Sequence, residues 1–196
     1  MKICKDIQEI VDAVGTSLNR QIGFIISLDG VDGIGKTSVA SKLAQLLGGV
    51  HIEFDKFRNA SEDSYLNSIR YHELSDRVRG QLPLTKDLVC EGICAMQVFE
   101  RLRICPDLTI YVQKVTPIND YLLPAYSEMI SAKLPPADYL RQSTQEAEAL
   151  AREFGKSPRT IDPLAESITK DLYCYHYNYH PKDKADIVFQ NVWRAT

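Results

Sequence analysis

The sequence predicts an α/β domain in which helices cover a parallel sheet, and three observations lead there. Short apolar runs of strand length recur near 22–28, 50–54, 87–90, 107–112 and 185–189. Stretches with apolar residues at helical spacing separate them. The first run is apolar on both faces, as a strand buried inside a parallel sheet must be. Strands alternating with helices are the signature of crossover connections in such a sheet.

Taken in order, Ile3, Ile7, Ile10, Val11, Val14 and Leu18 line one side of a helix over 3–18 that precedes the first strand. Lys36–Leu47 carries Val39, Leu43, Leu46 and Leu47 on one helical face and stops at Gly48-Gly49. Ser61, followed by Glu62 and Asp63, suits the cap of a helix reaching about His72. Ile93–Leu102 is a further helix between the third and fourth strands. Prolines 117, 124, 135 and 136 break up 113–137, which reads as an insertion with one irregular helix. Leu140, Ala147, Leu150, Ala151 and Phe154 restore a helical stripe that ends at Gly155. Asp162-Pro163 then suits the N-cap and first residue of a helix carrying Leu164, Ile168, Leu172 and Tyr175.

Composition narrows the class. The chain has 196 residues, enough to bury the core of one domain, read as spanning 1–196 with 1–20 as a leading helix and 113–160 as insertion and lid. A formal charge of −3 leaves no basic field for wrapping a nucleic-acid polymer. No apolar run approaches membrane-span length, and residues 1–20 lack a signal-peptide core. Five cysteines, an odd number, read as reduced thiols. The expectation is a cytoplasmic protein without a membrane partner.

Ten glycines are ordinary, but three of them fall at 30, 33 and 35 within Gly30-Val-Asp-Gly-Ile-Gly-Lys-Thr37. This segment fits G-x-x-x-x-G-K-[ST] between a buried strand and a helix, the context in which that pattern binds phosphate. Glycines let backbone amides turn inward, a side chain at Gly35 would block phosphate oxygens, and the emerging helix terminus adds partial positive charge. The expected nucleotide contacts are Gly30, Asp32, Gly33, Ile34, Gly35, Lys36, Thr37 and Ser38. Lys36 suits the β- and γ-phosphates and the Thr37 hydroxyl suits Mg²⁺. No guanine-reading Asn-Lys-x-Asp occurs, nor a transporter-type Ser-Gly-Gly signature, and Ser131-Ala-Lys133 stands isolated between prolines. A small phosphotransferase fits what remains.

Phosphoryl transfer needs more than a phosphate cradle. Asp55 follows the second strand, at the sheet edge where open α/β sheets bind ligands. It suits the base that receives or orients an acceptor hydroxyl, and it equally suits a turn or helix cap. Glu91 ends the third strand, where a carboxylate can hold Mg²⁺ or simply begin a turn. Arg152 and Arg159 flank Gly155-Lys-Ser-Pro158, and either suits a movable charge over the transferring group or a solvated basic loop.

This combination resembles the uridine kinase-like branch of P-loop kinases, a wider group that includes phosphoribulokinase and bacterial pantothenate kinase. The matching islands are Gly30–Ser38, His51–Phe57, Val89-Cys-Glu-Gly-Ile93, Tyr111-Val112 and Pro181-Lys-Asp-Lys-Ala-Asp-Ile-Val188. The last resembles a family segment that enters the final strand beside the adenine site. The resemblance implies a three-layer P-loop NTPase fold with a five-stranded sheet of order 2-3-1-4-5 and a helical lid. It also implies ATP with Mg²⁺ and transfer of the γ-phosphoryl to a hydroxyl of a small molecule. Carried over by motif, Lys36, Asp55, Arg152 and Arg159 are catalytic and Thr37 and Glu91 are on the metal side. Residues 73–86 are shorter than the stretch that builds a base pocket in nucleoside-specific members. Asp32-Gly-x-Gly-Lys-Thr37 also looks like the loop of thymidylate kinase, but Glu91-Gly92-Ile93 stands where that family has Asp-Arg-Tyr/His. A nucleoside monophosphate kinase is therefore the alternative enzyme, and a non-catalytic nucleotide-binding regulator the alternative outside enzymes.

His176 and His180 have the i, i+4 spacing of a zinc pair but no third ligand at suitable spacing. Tyr173–His180 reads instead as a tyrosine-rich packing surface or a homodimer contact. Cys90 reads as core.

Overall fold

The structure, a computed structural model, describes residues 1–15, 23–59, 62, 64–81, 86–115, 131, 133–153 and 163–192. Its centre is a six-stranded parallel sheet: β1 (Lys2–Cys4), β2 (Ile25–Asp29), β3 (Val50–Glu53), β4 (Leu88–Glu91), β5 (Leu108–Val115) and β6 (Ile187–Val192). The spatial order is β1-β6-β5-β2-β4-β3. The five expected strands thus occupy the expected order, and β1 adds a sixth at the edge through the register Lys2↔Ile187 to Cys4↔Phe189.

That edge strand corrects the helix expected over 3–18. Cys4 is buried while Ile3 points outward, a period of two. Asp6 then starts a new element. Its carboxylate accepts the Gln8 amide at 2.9 Å, and Glu9 Oε1 accepts the Asp6 amide at 3.3 Å. This reciprocal capping box places the start of α1 at Ile7, and the helix runs to Gly15.

The phosphate loop leaves β2 and enters α2 (Lys36–Leu47). A 3₁₀ turn, Phe54–Phe57, follows β3. The helix expected through His72 is instead split into α3 (Tyr65–Ser68) and α4 (Tyr71–Gln81). Ile69 is extended and buried between them, bridging antiparallel to Arg58, so a tertiary contact interrupts the helical run. Next come α5 (Ala95–Leu102), α6 (Pro136–Glu153), α7 (Pro163–Tyr179) and a single turn, α8 (Pro181–Lys184). Most of the 113–137 insertion, the Ser61 and Asp162 caps and the loop at 156–159 lie outside the described residues.

Strand alternation produces the three layers. Ile26, Leu28, Val89, Ile110, Val112, Ile187 and Phe189 pack with α1 and α2. Ile25, Leu88 and Cys90 face Leu74 and Val78 of α4, Val98 and Phe99 of α5, and Leu172 and Tyr175 of α7. Side α6 rests on α7, with Tyr139 and Tyr173 stacked at 3.7 Å between ring centroids. All five cysteines are free thiols, and burial pushes the core Cys90 thiol up to about 12. No helix among the described residues is long and apolar enough to cross a membrane.

His176 is core rather than a metal ligand, and no cluster of three or more metal-binding side chains exists among the described residues. Its Nδ1 lies 2.8 Å from the Leu172 carbonyl oxygen, which can only accept, so Nδ1 carries the hydrogen. Nε2 then accepts the Tyr111 hydroxyl at 2.8 Å. Burial holds the imidazole below its ordinary value, against the pull of the Leu172 carbonyl and Asp29. Protonation therefore favours the unfolded chain, and stability present above about pH 6.5 is lost as pH falls below it. Urea midpoints measured from pH 7.5 to 5 should show this loss in the wild type, and His176→Gln should flatten that part of the profile.

Candidate functional site

Parallel strands with helices on both faces leave a crevice at their carboxyl ends where chain connections diverge to either side. Here that point is β2, flanked by β4 and β5. The loop Gly30–Gly35 emerges from it. Gly30 has φ +145°, and a Cβ there would lie 2.5 Å from Ile34 Cδ1 and 2.6 Å from the Val112 carbonyl oxygen. Gly35, at φ +88°, is the N-cap of α2 and leaves that helix start without a side-chain cap. The first amides of α2 are thereby open to an anion. From β6, the Asn191 amide donates to the Ile34 carbonyl at 2.8 Å and ties the loop to the neighbouring strand.

Charge is concentrated at this point. Among the described residues, the buried Asp, Glu, Lys and Arg side chains are Asp29, Lys36 and Glu91, and all three stand at the loop or at the ends of β2 and β4 beside it. Burial of ionised groups without a stabilising network is strongly unfavourable, so such convergence marks a site. Lys36 folds back over the loop, its ammonium donating to the Val31 carbonyl at 2.8 Å. Burial lowers its pKa, while Glu91, Asp29, Asp32 and Asp55 push it up. The Thr37 hydroxyl donates to Glu91 Oε1 at 2.9 Å. Burial alone would raise the Glu91 pKa. The His51 ring, 3.8 Å away, with Thr37 and the Lys36 charge, outweighs burial and holds the carboxyl below its ordinary value.

Asp29 ends β2 on the face opposite α2. Its Oδ1 accepts the Gly30 amide at 2.7 Å. Its Oδ2 accepts the Tyr175 hydroxyl from α7 and, at 3.4 Å, the Met96 amide from α5. Burial raises its pKa against these donors. Asp55 lies in the exposed 3₁₀ turn after β3, and Tyr65 donates its hydroxyl to Asp55 Oδ1 at 2.8 Å. Tyr65 is held from behind, since its backbone amide donates to Asp171 of α7 at 2.7 Å.

Of the expected residues, Gly30, Asp32, Gly33, Ile34, Gly35, Lys36, Thr37 and Ser38 form the loop and the start of α2, Glu91 bonds Thr37, and Asp55 lies within electrostatic reach of Lys36. Asp32 is exposed and its Oδ1 accepts the Gly33 amide at 2.9 Å. Arg152 sits exposed in the last turn of α6, and Arg159 lies outside the described residues. Asp186, in the segment 181–188 that resembles the family's, stands just before the amino end of β6, at the opposite end of the sheet from the loop. It accepts the Thr109 amide at 2.8 Å and the Thr109 hydroxyl at 2.7 Å, so it aligns β6 with β5. The carboxyl end of that strand, at Asn191, is what reaches the loop. Sequence reading missed Asp29, whose signal was an acidic residue closing an otherwise apolar strand. It also missed Tyr65 and Tyr175, which had no signal beyond their size.

A Mg²⁺ ion prefers hard oxygen ligands, and the hydroxyl of Thr37 beside the ionised carboxylate of Glu91 is such a set. Removing the Tyr175 hydroxyl with Tyr175→Phe leaves a buried carboxylate short of a donor. It should destabilise the fold by about 1–3 kcal/mol in urea denaturation.

No protein-family model and no curated protein matches the chain. Among solved structures it is similar to a possible uridine kinase from Bacillus stearothermophilus, at 13% identity over 94% of this chain and 97% of that chain, with a TM-score of 0.47. The functional reading therefore rests on the residues of this chain.

Proposed function

We propose that this protein is an ATP-dependent phosphotransferase that moves the γ-phosphoryl group of ATP to a hydroxyl of a small molecule, in the manner of uridine kinase-like enzymes. One observation carries the reading. A glycine loop with an uncapped helix start holds Lys36 and the Thr37–Glu91 pair on the β4 side of β2, and the exposed carboxylate of Asp55 lies on that same side. A nucleotide-binding site alone requires the loop and its lysine. A carboxylate within electrostatic reach of that lysine is what an acceptor hydroxyl requires.

The roles follow from the chemistry of each group. Loop amides and Lys36 bind the β- and γ-phosphates, and the ammonium exchanges the Val31 carbonyl for phosphate oxygens. Thr37 and Glu91 would hold Mg²⁺, which when bound offsets charge on the phosphate oxygens. Asp55 receives the hydrogen of the acceptor hydroxyl as its oxygen attacks the γ-phosphorus and the bond to the β,γ-bridging oxygen breaks. Tyr65 fixes the Asp55 carboxylate in place by occupying Oδ1 and leaving Oδ2 for the acceptor. Arg152 and Arg159 are the movable cations of this scheme.

An ADP-release screen over nucleosides, nucleotides, vitamins and sugars tests the proposal. Nucleotide binding without ADP formation across the whole panel would sink it and favour a regulator that binds nucleotide without transfer. With an acceptor in hand, Lys36→Ala should abolish turnover while thermal melting remains cooperative. Asp55→Asn should lower kcat about 10²–10⁴-fold, and an effect below about tenfold would make Asp55 a turn residue. Glu91→Gln should raise the Mg²⁺ concentration for half-maximal rate about 10–100-fold.

A further inference from the structure

Beyond the groups that handle ATP, one cation stands on the acceptor side with its binding capacity unspent. Arg58 follows Asp55 by three residues, at the end of the same turn. Its Nε donates to Ser68 Oγ at 3.1 Å, and its guanidinium carbon lies 5.2 Å from the centroid of the Tyr65 ring. These two contacts fix the position and plane of the fork. Neither uses its two terminal nitrogens, which have no partner among the described residues. Four other described arginines do spend terminal nitrogens on bonds. Arg70 donates its terminal nitrogens to the Arg58 and Lys56 carbonyls, Arg79 to Leu102, Arg101 to Leu66 and Asn67, and Arg141 to Asp138.

The backbone beneath Arg58 is held firmly. Its carbonyl accepts from Arg70, its amide donates to the Asp55 carbonyl at 3.3 Å, and it bridges Ile69. Asn59 and Arg70 add amide bonds to Ser68 and Phe57 at 2.7 and 2.8 Å. Ordering this side chain on binding therefore loses little further entropy. Arg58 also makes no ion pair with Asp55, because both engage Tyr65 from different sides. The hydroxyl of that ring bonds Asp55 while its face carries the guanidinium. A carboxylate and an uncompensated guanidinium thus stand about one phenol ring apart on the acceptor side. A planar fork with two free nitrogens pairs with two oxygens of one anionic group.

We propose that Arg58 is an oxyanion-recognition site for the acceptor, so that the acceptor carries a carboxylate or phosphate as well as the hydroxyl presented to Asp55. This rests on the phosphotransferase reading, which it narrows from small hydroxyl compounds to anionic ones. Lysine would keep the charge but not the two-pronged geometry.

The test separates the two ideas. Protein saturated with Mg·ADP, which fills the phosphate loop, is titrated by calorimetry with inorganic phosphate and, separately, with acetate. Wild type should bind at least one probe. Arg58→Gln should weaken that binding about 10–100-fold, Arg58→Lys should fall between, and the exposed Arg77→Gln should match wild type. The better probe tells phosphate from carboxylate. In parallel, ADP release is followed with matched acceptors: glycerol, glycerate and glycerol phosphate, then a nucleoside and its monophosphate. The anionic members should be preferred, with Arg58→Gln raising their KM and leaving the KM for ATP unchanged. Wild type that binds neither probe, probes that bind wild type and Arg58→Gln alike, or anionic acceptors used as well by Arg58→Gln as by wild type would each overturn the inference. No ADP from any acceptor would instead remove the phosphotransferase reading, and the titration would still decide whether Arg58 binds oxyanions. Thermal melting shows whether each variant is folded, and Arg58→Lys keeps the question open to refutation if Arg58→Gln is not.

Discussion

A carboxylate buried at the end of the central strand is the constraint around which the rest is arranged. Asp29 cannot be withdrawn from water as an ion unless donors surround it. It draws one from the phosphate loop, one from the start of α5 and one from α7. Satisfying this one side chain therefore fixes three separate pieces of chain relative to β2. The loop is held at its root by the Gly30 amide, so its shape is set before any ligand arrives.

Strand alternation then divides the work between the two faces of the sheet. Glu91, the last residue of β4, lies on the α2 face, where it receives the Thr37 hydroxyl. Asp29 lies on the other, where it receives Tyr175. Helix α7 also supports the segment beside the turn after β3: Asp171 and Tyr175, one turn apart, hold the Tyr65 backbone and Asp29 respectively. One turn of one helix thus ties Tyr65 to the root of the loop, and Tyr65 in turn meets Asp55 and Arg58.

Much of this was legible in the chain. The loop, its helix, the five strands and the place of Glu91 follow from local patterns, because glycine spacing and hydrophobic period are properties of short segments; the order of the strands came from the family resemblance. The failures have equally physical causes. β1 looked helical because Ile3 and Ile7 are also four apart, and only the open edge of β6 and the Asp6–Glu9 cap resolved the ambiguity. The helix expected through His72 broke at Ile69, where a bridge to Arg58 outweighed local propensity.

The sequence by itself determined the phosphate loop, the parallel sheet that presents it and the presence of carboxylates at neighbouring strand ends. Each of these depends on residues within a few positions of one another. Only the tertiary structure decided which polar side chains share charge and hydrogen. Asp29 meets Tyr175 across 146 residues and Thr37 meets Glu91 across 54. Tyr65 meets Asp171 across 106. Such pairings are selected by the low dielectric of the interior, which makes every unpaired group unfavourable, and no local pattern records them.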